Sequence, residues 1–212
     1  MALLDLDPDQ LLSTTRAVRK RLDFARPVPE HLIRECVAMA LQAPSGSNVV
    51  TMRFVVVRDE KKRRAIGGIY REVYARYKAS SSYAGRRGGD AERDRVQQRV
   101  ASSADYLGEH MGEAPVLVFG CNEGTDRASA LAGLGNILPA TWSLMLAARA
   151  RGLGTAWTSL HLSREQDVAE ILGIPCDTVA QAVLTPLAYT KGTDFKPAAR
   201  PDPDAVIHWD AW

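Results

Sequence analysis

The most informative part of the sequence for the fold is the segment at residues 128–151, ASALAGLGNILPATWSLMLAARAR. It contains no charged side chain before Arg149. A helix that is apolar on nearly every side belongs in a protein core, because none of its faces prefers water. Gly152 follows directly, at the position where a glycine commonly ends a helix. The sequence therefore predicts a long, buried central helix.

Other elements are predicted on both sides of this helix. Apolar runs predict strands at 54–57, 115–120, 155–158 and 179–187, the first two buried on both faces. Helices are predicted at 7–16, 29–43, 59–78, 91–111 and 163–172, with capping boxes beginning at Asp7 and Ser163. Helices outnumber strands and the longest helix is the most apolar, which indicates an α+β sandwich. One domain over residues 1–212 is expected from the length.

Composition excludes several classes of protein. The excess of 27 Lys and Arg over 25 Asp and Glu is too small to indicate a nucleic-acid surface. No apolar run reaches the roughly 20 residues of a membrane span, and the acidic N-terminus is unlike a secretory signal. The three cysteines form no CxxC pair, so no metal site is expected. No dinucleotide fingerprint, Walker motif, GxSxG or HExxH occurs. A cytoplasmic protein without a membrane or nucleic-acid partner is expected.

Two segments could face a ligand. Residues 16–21, RAVRKR, place four cations within six positions and could clamp a phosphate, although a solvated basic turn would look the same. Residues 43–48, APSGSN, follow a helix that stops before Pro44. Small polar residues there leave backbone N–H groups free, and Asn48 offers both a donor and an acceptor, although an ordinary turn remains possible.

Two further segments carry weaker signals. In residues 152–160, GLGTAWTSL, two glycines permit a close approach of the backbone, which also suits a helix end leading into a strand. Arg200 in the C-terminal stretch KPAARP could add a cation to a phosphate site or belong to a loose tail. Of the four histidines, only His161 lies beside a candidate segment, where it could act on a ligand or make a structural hydrogen bond.

Together these pieces resemble a known family. The order is RAVRKR (16–21), PVPEHLIRECVAMALQAPSGSN (27–48), RFVVVRD (53–59), RGLGTAW (151–157), PLAYTKG (186–192) and a tail containing VIHW (206–209). This order resembles the nitroreductase family of flavoproteins over about residues 11–209, and is most similar to an actinobacterial branch of it.

The resemblance implies a three-layer α/β/α sandwich with a mostly antiparallel sheet, in an intertwined homodimer that binds FMN at its interface. It implies an oxidoreductase in which NADPH or NADH delivers hydride to FMN N5 and a small electron-poor acceptor, such as a nitroaromatic or a quinone, then takes its place. Such ping-pong chemistry belongs to the cofactor, so no catalytic side chain is expected.

The resemblance also assigns cofactor-binding residues. The phosphate would lie at Arg16, Ala17 and Arg19, with the two arginines and Arg200 as its cationic partners. The ring would be bordered by residues 44–48, that is Pro44, Ser45, Gly46, Ser47 and Asn48. Three later positions would pack beside the ring or ribityl chain: Thr158, Ser159 and Leu160.

Departures from the family pattern keep alternatives open. Many members have a serine where this chain has Ala17, and Gln-Pro-Trp where it has residues 50–52. These changes are compatible with a flavin-binding storage or sensor protein without turnover. The basic stretch at 86–99 would suit the acidic tail of a deazaflavin, or is a solvated helix face. Residues 79–90 are expected to form a mobile loop that helps to shape the acceptor site.

Overall fold

The computed structural model of the protein describes residues 3–86 and 89–212. The α-helices in this part are α1 Pro8–Thr14, α2 Glu30–Ala40, α3 Glu60–Ala79, α4 Ala91–His110, α5 Arg127–Ala132, α6 Leu134–Ala150 and α7 Glu165–Leu172. The strands are β1 Leu22–Asp23, β2 Met52–Val57, β3 Val116–Glu123, β4 Leu153–Thr155 and β5 Val179–Thr190.

The strands form one antiparallel sheet in the order β1-β5-β3-β2, and β4 also pairs with β5. β5 is the longest strand and is buried along nearly its whole length. Its register places Leu187 beside both Val116 of β3 and Thr155 of β4, whereas Ala180 lies beside Asn122 of β3. The two ends of β5 therefore meet different parts of the chain.

Two hydrophobic cores lie on opposite faces of the sheet. Residues of β3 alternate between them: Val116 and Val118 belong to the core under α2 and α6, and Leu117 and Phe119 to the core under α3, α4 and α7. This alternation is what a strand buried on both faces requires. The predicted three-layer α+β sandwich with a mostly antiparallel sheet is confirmed.

The predicted central helix is present but broken. Residues 127–150 form α5 and α6, which meet at Gly133. A Cβ at Gly133 would lie 2.3 Å from Nδ2 of Asn122, which donates to the carbonyl of Ala130. The break thus lets the helix end pack closely on β3. Eight of the 17 residues of α6 are buried, whereas Leu138 and Trp142 remain 39% and 38% exposed.

The first predicted strand lies at the sheet edge and is only partly buried, so the expectation that it is buried on both faces is correct only in part. β2 pairs with β3 alone among the described residues, and Val56 is 36% exposed. Met52 and Phe54 pack in the core under α2 and α6, and Val55 and Val57 pack in the core on the opposite face of the sheet. The same expectation is correct for β3, which is buried from Val116 to Asn122. β4 ends at Thr155, where the sequence had predicted a strand to begin.

Helix ends follow local signals where no other turn competes. Asp7 and Gln10 form the predicted capping box, with Gln10 N donating to Asp7 Oδ1 at 2.7 Å. Gly152 follows α6 with a φ of 69°, as expected for a left-handed helix end. The capping box predicted at Ser163 is wrong, because residues 160–164 form a 3₁₀ helix and α7 begins only at Glu165.

The region predicted as a mobile loop is partly described. Arg87 and Gly88 of this region lie outside the described residues. Before them, residues 84–86 form a 3₁₀ turn. The Tyr83 hydroxyl donates to the Asp105 carboxylate at 2.9 Å, which ties the turn to α4. None of the described helices combines the length and hydropathy of a membrane span.

Candidate active site

The basic turn, residues 16–21, connects α1 to β1 and is fixed against β4. Ala17 forms a parallel bridge with Thr155, and Val18 N donates to the Thr155 carbonyl at 2.8 Å. Burial of Val18 anchors the turn in the core. The cationic side chains on either side of Val18 are therefore presented on a rigid backbone.

The basic turn lines a cavity of about 400 Å³ together with residues 194–197. Arg16 is half-buried, and its Nη1 donates to the Lys196 carbonyl at 2.8 Å. Ala17 is exposed at the cavity wall, where its small side chain leaves room for a ligand. Four of the lining residues are cations of the turn, and Asp194 is the carboxylate among them. Such a cavity suits an anionic group.

Arg19 lies between this cavity and a second one of about 300 Å³. Its guanidinium is half-buried and makes no hydrogen bond or salt bridge within the described residues. Burial lowers the pKa of Arg19, although the nearby tyrosines oppose this effect. A guanidinium withdrawn from water without a partner is costly, and an anionic ligand would lower that cost.

The second cavity brings Arg19 together with residues 158–160, as predicted. Thr158 exchanges backbone hydrogen bonds with Leu184 of β5, and its Oγ1 lies 3.1 Å from the Tyr70 hydroxyl. Ser159 and Leu160 complete this side of the cavity. The segment is therefore held by the sheet and by α3.

Three tyrosines of α3 form the opposite wall, which sequence reasoning missed. Tyr70, Tyr74 and Tyr77 all line the cavity. Their spacing of four and three residues places them on one face of a helix, a pattern that was visible in the sequence. The Tyr74 hydroxyl donates to Asp105 of α4 at 2.9 Å, and burial raises the pKa of this phenol. The three rings give the cavity an aromatic wall.

The predicted loop at 44–48 does not meet the arginines within one chain. It is largely exposed, and Ser47 and Asn48 have φ values of 53° and 57°. Gly46 N donates to Oδ1 of Asn136 at 3.1 Å, and Asn136 Nδ2 donates to Thr51 Oγ1 at 3.0 Å. Asn136 of α6 thus holds the loop, and no motif around Asn136 predicts this role.

The loop and the basic turn lie at opposite ends of the sheet. Thr51 Oγ1 donates to Asn122, whose partner on β5 is Ala180, whereas the turn is attached to Thr155, whose partner is Leu187. Residues 180 and 187 of one strand are about 20 Å apart at about 3.3 Å per residue. The basic turn and residues 158–160 thus converge, and the loop at 44–48 does not meet them.

Arg200 does not join the basic turn. It is exposed and makes no hydrogen bond or salt bridge within the described part of the chain. Arg200 also lines neither cavity, and Pro197 is the last tail residue that lines the cavity at Arg16. The predicted role of Arg200 beside Arg16 is therefore not realised in one chain.

His161 is not directed at a ligand. It is fully buried, with its ring 5.4 Å from that of Phe119 in an edge-on arrangement. Neither ring nitrogen has a hydrogen-bond partner within the described residues, so the expected structural hydrogen bond is not found either. Burial lowers the pKa of His161 to about 4, with a smaller opposing effect of Glu165. His161 is therefore neutral at pH 7.

Comparison with known proteins identifies the family. A model of the nitroreductase family matches residues 12–189. The 5,6-dimethylbenzimidazole synthase of Rhodospirillum rubrum is 31% identical over 169 residues, covering 74% of this chain and 71% of that protein.

Solved structures show the same fold. Iodotyrosine deiodinase bound to FMN and 3-iodo-L-tyrosine superposes with a TM-score of 0.71 at 22% identity, covering 95% of this chain and 98% of that chain. An NADPH:FMN oxidoreductase of Vibrio harveyi in complex with NAD⁺ gives 0.65 at 18% identity, with 95% and 76% covered. With the family model spanning most of its length, the chain belongs to the nitroreductase family.

Proposed function

We propose that the protein is an FMN-dependent oxidoreductase that transfers reducing equivalents from NADPH or NADH to a small electron-poor acceptor. The observation that carries this proposal is the half-buried, unpaired guanidinium of Arg19 between a cationic cavity and an aromatic-walled cavity. FMN combines a phosphate dianion with a planar ring system. Membership of the nitroreductase family supports FMN as the cofactor, and so does the FMN bound to iodotyrosine deiodinase, which has the same fold.

The residues present fit FMN. Arg16 and its cavity would hold the phosphate, since guanidinium groups bind phosphate through paired hydrogen bonds. Ala17 would leave room for it beside the backbone. Residues 158–160 and Arg19 would border the flavin ring, because they share the second cavity. The ribityl chain would connect the two cavities past Arg19.

The chemistry that FMN supplies when bound is the acceptance of hydride from the nicotinamide and its delivery to the acceptor. The chain contributes position and electrostatics. Arg19 presents a fixed positive charge in a partly water-excluded cavity, where it favours added negative charge on a bound group. The hydrogen bond between Tyr70 and Thr158 keeps the cavity wall in place.

We also propose that the functional unit is an intertwined homodimer. Within one chain, residues 44–48 lie at the other end of the sheet from Arg16, so they would border a flavin only if a second chain supplied them. Apolar side chains are exposed directly after this loop, with Val49 and Val50 at 55% and 52%, and on α6, with Trp142 at 38%. Arg200 would likewise reach a phosphate only in such an assembly.

Nitroaromatics and quinones are proposed as acceptors, although a curated relative is a synthase. Placement in an actinobacterial branch stays a prediction that no relative named above supports. A single domain and a cytoplasmic location are also proposed; the free cysteines agree with a reducing compartment.

The deciding experiment is spectroscopic. Purified protein is loaded with FMN, dialysed and titrated anaerobically with NADPH or NADH. We expect retained flavin absorption that bleaches with at least one donor and returns on adding a quinone. Retention without bleaching by either donor would indicate a storage or sensor protein or a deazaflavin-linked reductase. Protein that retains no FMN would overturn the proposal.

A further inference from the structure

The beginning of the C-terminal tail, residues 191–197, is attached to the body by three arginines. We propose that one of them, Arg149 of α6, is a positioning residue: it holds this tail segment over the basic turn and so shapes the phosphate-binding end of the site. This inference rests on the proposed function, because it takes the cavity at Arg16 to be the site of the FMN phosphate.

Arg149 is an unusual core residue. Its side chain is 4% exposed, in the last turn of an apolar helix. Nη2 donates to the Thr14 hydroxyl at 3.2 Å and to the Thr193 carbonyl at 3.0 Å. Nε and Nη1 have no partner, and no carboxylate pairs with Arg149 among the described residues. Burial, followed by the nearby charge of Arg21, lowers the pKa of Arg149.

Arg149 and Arg21 share an aromatic partner in the tail segment. The guanidinium carbon of Arg149 lies 4.9 Å from the ring centre of Phe195, and that of Arg21 lies 4.2 Å from it. Cations over an aromatic face are attracted by its quadrupole. Arg21 also pairs with Asp194 at 2.5 Å and donates to the Lys191 carbonyl at 3.0 Å. Phe195 is therefore held by two arginines from distant parts of the chain, Arg21 and Arg149.

The tail segment, once fixed, is the wall of the cavity at Arg16. Arg16 donates to the Lys196 carbonyl at 2.8 Å, immediately after Phe195. Residues 194–197 face the basic turn across the cavity. A change in how Arg149 holds Thr193 and Phe195 would thus move the Lys196 carbonyl, which orients Arg16. Arg149 itself does not line the cavity, so it acts through these residues.

The charge of Arg149 gives the arrangement an electrostatic consequence. A buried cation without an anionic partner lowers the stability of the ligand-free protein. The basic turn adds four more cations, and Asp194 is the carboxylate at the cavity. A bound dianion would offset part of this repulsion. The ligand-free protein should therefore be stabilised by inorganic phosphate beyond the general effect of salt.

The test compares FMN with riboflavin, which lacks the phosphate. Dissociation constants are measured by flavin fluorescence for the wild type, Arg149→Met, Arg149→Lys and the control Arg151→Met. Arg151 lies two residues away but pairs with Glu35 on the other side of the helix end, so its removal tests for a nonspecific loss of charge.

We expect Arg149→Met to reduce the preference for FMN over riboflavin by about tenfold, as expected when one hydrogen bond to the phosphate is lost. Arg149→Lys should fall between it and the wild type, and Arg151→Met should keep the wild-type preference. Inorganic phosphate at constant ionic strength should raise the melting temperature of the wild type more than that of Arg149→Met.

The outcomes separate the two proposals. If the wild type binds neither flavin, the proposed function fails. If the wild type prefers FMN but Arg149→Met keeps that preference, the role of Arg149 is overturned and the proposed function stands. Equal weakening of both flavins in Arg149→Met would show a purely structural residue and would also overturn it. If Arg149→Met does not fold, the ratio of the FMN and riboflavin dissociation constants of Arg149→Lys decides instead.

Discussion

Replacing His161 by leucine should make the free energy of unfolding less sensitive to acid, because one proton that binds on unfolding is removed. In the folded protein the pKa of His161 is about 4, because the ring is buried and neither nitrogen has a hydrogen-bond partner among the residues that the structure describes. In the unfolded chain it returns to its ordinary value of about 6.5. Between these values the unfolded state binds more protons, so stability falls as the pH falls. At pH 5 the loss attributable to His161 amounts to about 2 kcal/mol.

The assay is urea denaturation of the wild type and His161→Leu at pH 8, 7, 6 and 5. The two proteins should respond in parallel between pH 8 and 7, which serves as the internal control. Their difference in unfolding free energy should then move by about 2 kcal/mol in favour of the variant by pH 5. Parallel curves down to pH 5 would show that the buried ring is not held neutral, and the reasoning about His161 would be wrong.

Three other substitutions test the packing and the site. Gly120→Ala would place a Cβ 2.5 Å from Oγ1 of Thr141 and should cost about 1–3 kcal/mol in urea denaturation; Gly135→Ala meets no atom within 4 Å and should cost nothing. Trp142→Glu should shift the protein to monomer in light scattering if α6 forms the dimer contact, and an unchanged mass would exclude that face. Arg16→Ala should weaken FMN binding by about 2–3 kcal/mol, and equal flavin occupancy after dialysis would refute a phosphate contact.

Features set by neighbouring residues could be predicted from the sequence. The capping box at Asp7 and the helix end at Gly152 need only a few adjacent positions, and both are present. The box at Ser163 failed because the preceding residues already form a 3₁₀ helix that takes the serine hydroxyl to the Leu160 carbonyl. Local signals decide a helix end only when no neighbouring turn competes for the same groups.

Features set by distant parts of the chain could not be predicted in this way. An apolar run does not reveal that β2 lies at the sheet edge, because edge position depends on the order of the strands. The break at Gly133 depends on Asn122 of β3. For the site, the family resemblance assigns Arg19 to the phosphate and residues 158–160 to the ring or ribityl chain, and in the structure these residues line one cavity. The contributions of Asn136 and Arg149 depend on tertiary contacts of residues with no motif around them.

The separation of residues 44–48 from Arg16 by the length of the sheet has a genetic consequence for a two-chain site. A chain with a damaged loop and a chain with a damaged basic turn would each be inactive alone. Mixed pairs of the two would contain one pocket with both lesions and one with none. Co-expression of the two inactive variants would then give mixed dimers with up to half of the activity of a wild-type dimer.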